Sequence, residues 1–235
     1  MKLKNIVKKI IFKEKADSNS YIKYLRKLGI DIGNDCIIYA PTKTIIDTQN
    51  PHMIKIGNNV KITLGVKILT HDFSWCVTSG LEGRVTGNIG KVIIGNNVFI
   101  GMDSIITKGT IIGDNVIIGA GSVVTKDCES NSVYAGVPAK KIMTIEEYYK
   151  KRIEAQEKEA IDIVNMYKER YNKEPSVDVL REYSFLFTNK TNANNIVIDE
   201  IIYDSGHYDI CKKYLENNSS KFKDYEEFLK YCNKK

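Results

Sequence analysis

An aliphatic residue returns at every sixth position through the middle of this chain. Ile94, Ile100, Ile106, Ile112, Ile118 and Val124 keep the spacing without a slip, and Ile56, Ile62 and Ile68 keep it before them. Gly follows the aliphatic residue at Gly57, Gly95, Gly101, Gly113 and Gly119. A period of six suits neither an α-helix nor a half-buried strand, whose side chains repeat about every 3.6 and 2 residues. It suits a coil of very short strands joined by turns. Three hexads make one triangular turn, with one aliphatic side chain per hexad pointing to the axis. A single turn cannot bury those side chains, but stacked turns share one core, so the segment must be a solenoid.

The corners need residues that accept positive φ. IGNN or IGDN supplies them at Ile56–Asn59, Ile94–Asn97 and Ile112–Asn115, with a looser IGND at Ile32–Asp35. Ile94 to Ile112 spans one whole turn, whereas Ile32 to Ile56 spans a turn plus one hexad, which predicts a small insertion there. The coil is expected over residues 30–143. Between Ile68 and Ile94 the interval is not a whole number of hexads, and Gly80, Gly83, Gly87 and Gly90 fall inside it. Residues 71–91 therefore read as a loop thrown out of the scaffold, where function usually sits.

The flanks read as helical. Residues 1–29 hold an amphipathic segment, 3–13, with Leu3, Ile6, Val7, Ile10 and Ile11 on one face and lysines around it. It suits either a surface of acidic lipid or packing against the coil or a neighbour. A second short helix over about 20–28 ends at Gly29. Residues 144–235 open on a capping box, Thr144 with Glu147. A long helix follows, with Tyr149, Ile153, Ala160, Val164, Tyr167 and Tyr171 near one face. Pro175 starts a further helical segment, Asn189–Asn195 reads as a linker, and two short helices follow, the last near Tyr225–Tyr231.

Composition excludes several classes. A 43% hydrophobic and 27% charged chain is ordinary for a globular protein. The net charge of +6 is concentrated in the first thirty residues, with nine Lys or Arg against two acids. That argues against a broad nucleic-acid surface and leaves a basic arm, a candidate contact with the inner face of a membrane. No apolar run approaches transmembrane length, and Lys8 and Lys9 spoil the early one as a signal peptide. Five cysteines without CxxC spacing point to reduced thiols and a cytoplasmic protein.

The run IGNNVFIGMDSIITKGTIIGDNVIIGAGSVVTKD, residues 94–127, followed by AGVPAK, residues 135–140, resembles the hexapeptide-repeat acyltransferases. The segment ILTHDFSW, residues 68–75, resembles the branch that O-acetylates surface or capsular sugars. The resemblance implies a left-handed parallel β-helix, a homotrimer, acetyl-CoA as acyl donor and a sugar acceptor in a capsular or exopolysaccharide or its precursor. It also implies that His71 is the general base; an imidazole titrates near neutral pH and suits removal of a hydroxyl proton. His52 and His207 lack a motif. Three histidines, one in the helical tail, make a three-histidine zinc site improbable, so no metal is expected.

Asp72 could orient His71 if the backbone turns there, or it could serve a structural turn; adjacent strand residues otherwise point to opposite faces. Phe73 and Trp75 could form a platform for a sugar ring or for pantetheine, or anchor the loop. By resemblance, pantetheine runs along Gly119, Ala120 and Gly121 between subunits, with Thr125, Lys126, Pro138 and Lys140 near the nucleotide. Lys141 suits either a phosphate contact or a solvated surface pair. Phe99 and Met102 stand where some sugar acetyltransferases carry Trp and Ser, so contacts with the donor differ there. Two other functions remain open: N-acetylation of a nucleotide-linked amino sugar with the same base, and a non-catalytic trimeric scaffold.

Overall fold

A computed structural model describes Lys8, residues 10–188 and residues 196–234, in two compact units, Met1–Tyr148 and Tyr149–Lys235. In the first unit the hexads form three parallel faces. The first stacks Asp31–Ile32, Ile54–Ile56, Val92–Ile94 and Ile111–Ile112. The second stacks Ile37–Ile38, Lys61–Ile62, Val98–Ile100, Val116–Ile118 and Ser132–Ala135, and closes with Lys140–Thr144 running antiparallel. The third stacks Ile45–Ile46, Lys67–Ile68, Ile105–Ile106 and Val123–Val124.

The register is the one the spacing predicts. Ile56 pairs with Ile94, Ile62 with Ile100, Ile68 with Ile106, and Val124 with Ile106 from the other side. All nine hexad residues are at most 2% exposed. Burying an aliphatic side chain of this size is worth about 1.5–3 kcal/mol, so the column of inward residues is the dominant stabilising feature of the coil. Ile106 touches the axis from the middle of the third face and is 0% exposed. Ile106→Ala should destabilise the coil by about 2–5 kcal/mol. Melting at fixed protein concentration checks this, and a wild-type melt would mean that Ile106 does not face the axis.

Side chains at the corners carry the stacking further. Asp35, Asn59, Asn97, Asn115 and Asn131 all have positive φ at the corner between the first and second faces. There the Asn59 amide donates to Asn97 at 3.0 Å, Asn97 to Asn115 at 2.8 Å, and Asn115 to Asn131 at 2.8 Å. The preceding residues form a second ladder. The Asn58 backbone N–H donates to the Asn96 side-chain oxygen at 2.9 Å, and that of Asn96 to Asp114 at 2.5 Å. The repeat thus chooses Asn both for its backbone tolerance and because its side chain bonds the matching corner of the next turn.

The expected insertion is divided between two corners. Ile38 to Ile46 is eight residues and Ile46 to Ile56 is ten, which gives two and then four beyond a hexad. The longer extension follows Ile46 and contains a 3-10 turn at Pro51–Met53. The helix before the coil is Ser18–Leu28, with Asp17 accepting from the Ser20 N–H as N-cap and Gly29 at φ 106° as C-cap. The proposed 3–13 amphipathic helix falls mostly outside the described residues; its described end includes a 3-10 turn at Lys13–Lys15.

The capping box forms at the start of Ile145–Tyr171: the Glu147 N–H donates to Thr144 Oγ1 at 3.2 Å, and the Thr144 N–H to the Glu147 carboxylate at 2.8 Å. The core of the second unit joins Ala160, Ile161 and Val164 to Leu180, Leu186, Phe187, Phe222, Phe228 and Cys232. Only the middle of the expected apolar face is used, because Tyr149, Ile153 and Tyr171 remain exposed. The Asn189–Asn195 linker lies outside the described residues. After it come three helices rather than two, Ile196–Ser205, Tyr208–Asn217 and Tyr225–Cys232. Gly206, at φ 76°, separates the first two. No described helix is long and apolar enough to cross a membrane.

Candidate active site

The third face ends at one corner in every turn, and the departures from the hexad repeat there build the site. In one turn the corner carries the longer insertion, beginning at Asp47. In the next it carries the loop, beginning at His71. The loop leaves through a short antiparallel neck: His71 bridges Ile89, the Gly90 N–H donates to the Thr70 carbonyl at 2.8 Å, and that of Asp72 to Asn88 at 3.3 Å. Between the two sides the chain forms a helix, Trp75–Glu82, closed by Gly83 in the left-handed region. No helical period marks so short a stretch, so residues 71–91 read as loop throughout.

Stacking brings Asp47 beside His71. The Asp47 N–H donates to the Ile68 carbonyl at 2.9 Å, which continues the pairing of the third face by one residue. Asp47 Oδ2 then accepts from the Thr70 N–H at 3.0 Å, Thr70 Oγ1 at 2.6 Å and His71 Nδ1 at 2.5 Å, while Oδ1 accepts from the Gln49 N–H at 2.9 Å. Burial pushes the Asp47 carboxyl up, but the bonds from Thr70, Gln49 and His71 outweigh it and hold the group at about 2. An ionised Asp47 fixes the imidazole with its proton on Nδ1. Nε2 then carries the lone pair, as a general base requires. His71 itself is half-buried, reachable from solvent yet held.

Asp72 does not orient His71. It turns away, and its carboxylate accepts from Ser74, Asn88 and Lys108 instead. The Lys108 ammonium holds the Asp72 carboxyl well below the usual carboxylate range, with Ser74 adding to the effect. The physical reason is the pleat: His71 faces Asp47 on the adjoining turn, so its neighbour in sequence faces the loop. Asp47 was missed because it lies 24 residues away in an irregular insertion. The insertion itself was the available signal: a carboxylate directly after the inward-facing Ile46 and one turn before the histidine.

The other candidate residues divide between corners. Thr125 and Lys126 follow Val124 on the third face, so they share the corner of His71, and both are exposed. Met102, Gly119, Ala120 and Gly121 gather at the corner between the second and third faces, where the Gly121 N–H donates to the Met102 carbonyl at 2.7 Å. Packing there is tight: a Cβ on Gly101 would lie 2.5 Å from the Ala120 nitrogen. Ala120 itself is exposed, which leaves a small-residue strip open along the edge. Phe99 stands outward on the second face between Lys61 and Ile117, 41% exposed. Pro138 and Lys140 are exposed beside the end of the coil, where the Ala139 N–H donates to Val123 at 2.8 Å. Lys141 is an ion-paired surface group, 2.8 Å from Glu129. Phe73 and Trp75 pack on each other with ring centroids 4.3 Å apart, next to His71 in the chain.

Comparison with known proteins agrees with this architecture. Residues 91–126 match the family model described as the hexapeptide repeat of succinyl-transferase. The chain is 44% identical over 158 residues to Protein CapG of Staphylococcus aureus, spanning 63% of this chain and 90% of that protein. Among solved structures it is similar to a maltose O-acetyltransferase from Clostridium difficile 630, at 31% identity over 54% of this chain and 75% of the other, with a TM-score of 0.38. It is also similar to a hexapeptide-repeat acetyltransferase from Vibrio cholerae solved with acetyl coenzyme A, at 18% identity over 60% and 84% of the two chains, with a TM-score of 0.41. With its inward hexads, three parallel faces and extended match to CapG, the chain belongs to the hexapeptide-repeat acyltransferase family, and its coil is a left-handed parallel β-helix.

Proposed function

We propose that this protein is an acetyl-CoA-dependent O-acetyltransferase acting on a sugar hydroxyl of a capsular or exopolysaccharide, or of its precursor. The observation that carries the reading is the Asp47–His71 pair at the mouth of the loop, with Nδ1 on the carboxylate at 2.5 Å. Family membership supplies the acyl-transfer chemistry, and the resemblance of residues 68–75 to the sugar O-acetylating branch supports a sugar acceptor.

Acetyl-CoA supplies the acetyl group as a thioester. His71 Nε2 takes the proton of the acceptor hydroxyl as its oxygen bonds to the acetyl carbon. The C–S bond breaks, the thiolate leaves, and His71 returns its proton to the sulfur. Asp47 stabilises the imidazolium throughout and remains ionised. Ala120 and Gly121 are exposed in the small-residue strip along which a pantetheine arm would run, and Lys126 and Lys140 are exposed cations for phosphate. We place the enzyme in the cytoplasm, in keeping with five free cysteines, with its basic N-terminal segment toward acidic lipid.

In one chain the strip and His71 occupy different corners of the triangular section, separated by the third face. A homotrimer would bring the strip of one subunit to the His71 of its neighbour, so each site would need both. Mixed trimers of His71→Ala and Ala120→Trp chains, co-expressed with two tags, should then recover acetyl transfer that neither parent shows. Release of CoA thiol in the presence of sugar acceptors, with mass analysis of the sugar, reads the activity. Thiol release absent from wild type with every sugar would favour a non-catalytic scaffold. Folded hybrids that stay inactive beside an active wild type would refute the shared site.

A further inference from the structure

Asp72 gathers more polar contacts than its exposed position requires. Its Oδ1 accepts from the Ser74 N–H at 3.0 Å, from Ser74 Oγ at 2.6 Å and from the Asn88 amide at 2.9 Å. Its Oδ2 accepts from the same Asn88 amide at 2.8 Å and from Lys108 Nζ at 2.5 Å. Ser74 lies on the outgoing side of the loop, Asn88 on its returning side, and Lys108 belongs to the following turn of the coil. One carboxylate therefore ties both ends of the loop to the scaffold. Among the described residues, the loop's own helix adds no buried anchor. The helix Trp75–Glu82 has no buried residue, and Val77 and Leu81 are 77% and 83% exposed. The neck bonds at residues 70–72 and 88–90 hold its base. Lys108 adds a further point of attachment, on the following turn.

We propose that Asp72 and Lys108 form a latch that fixes residues 73–87 over the coil, and that the latch sets acceptor recognition by positioning the Phe73–Trp75 ring pair beside His71. The second part rests on the acetyltransferase reading above; the latch itself does not. Asp72 and Lys108 are positioning residues. His71 is held separately by Asp47, so releasing the loop leaves the base in place. An aromatic pair offers a sugar its apolar C–H face only when the rings are held in place, so loosening it should weaken acceptor binding more than the proton transfer.

Two readouts test this on the full chain. Trypsin cleavage after Arg84, which is exposed within the loop, reports loop opening directly. Acetyl transfer to p-nitrophenyl glycosides gives KM and kcat for a sugar acceptor. Lys108→Met keeps the length and removes the charge, and Asp72→Asn keeps the shape. Either is expected to speed cleavage at Arg84 by about threefold to tenfold, the modest scale of a solvent-exposed charged contact. Lys108→Met should raise the glycoside KM by about the same factor with kcat within about twofold, and Lys108→Arg should restore both. Unchanged cleavage in both variants, with wild-type melting, would overturn the latch. Faster cleavage with an unchanged KM would overturn its role in acceptor recognition. If wild type acetylates no sugar, the function proposed above fails, and cleavage at Arg84 still decides the latch.

Discussion

Replacing His71 with alanine is expected to lower acetyl transfer about a hundredfold to ten-thousandfold, the range a positioned acid–base group contributes. Folding should survive the change. His71 is half-buried at a corner, outside the column of inward aliphatic residues, and loses one side-chain bond, to Asp47. Thr70 still donates twice to that carboxylate, so Asp47 keeps partners and the neck keeps its anchor. The check is steady-state CoA release with a sugar acceptor, alongside a melt of the same preparation. Near-normal turnover by a folded His71→Ala protein would remove His71 as the base.

Asp47→Asn should cost about tenfold to a thousandfold in the same assay. The loss has two physical sources. Without the neighbouring anion the imidazolium formed during proton transfer is less stable, so Nε2 is a weaker base. An amide can also donate to Nδ1, which moves the imidazole proton onto the nitrogen that must accept the hydroxyl proton. The wild-type carboxyl, held at about 2, stays ionised across the range in which an imidazole titrates. Its depressed value also fixes the sign of its effect on folding. The stabilising contribution is complete above the ordinary carboxylate range near pH 4 and is lost as pH falls toward 2. Acid unfolding of Asp47→Asn should therefore show a weaker pH dependence in that window than wild type.

The coil was legible because its physics repeats. Each inward Ile recurs with the period of the turn, and each corner Asn recurs with it, so sequence spacing alone gave face, register and burial. His71 was legible for the opposite reason, standing where the repeat fails. Asp47 was not, because partners in a coil are neighbours across turns. The sequence neighbour Asp72 attracted the role that stacking gives to Asp47, some 24 residues earlier. The two-plus-four division of the insertion was hidden too, since only the total between Ile32 and Ile56 can be read from aliphatic spacing. In the helical unit the stripe from Tyr149 to Tyr171 overstated the buried face. Amphipathic spacing marks the residues that could be covered, whereas the core covers only Ala160, Ile161 and Val164 along that helix.

The most direct test of the Asp47–His71 pair is a double-mutant cycle on acetyl transfer, comparing wild type, Asp47→Asn, His71→Ala and the combined variant. If Asp47 acts by holding and charging His71, its loss has nothing left to impair once the imidazole is gone. The combined variant should then turn over at the rate of His71→Ala alone, within about twofold, although Asp47→Asn by itself costs at least about tenfold. A combined variant slowed by the full product of the two single effects would contradict this, and would show that the carboxylate and the imidazole work independently.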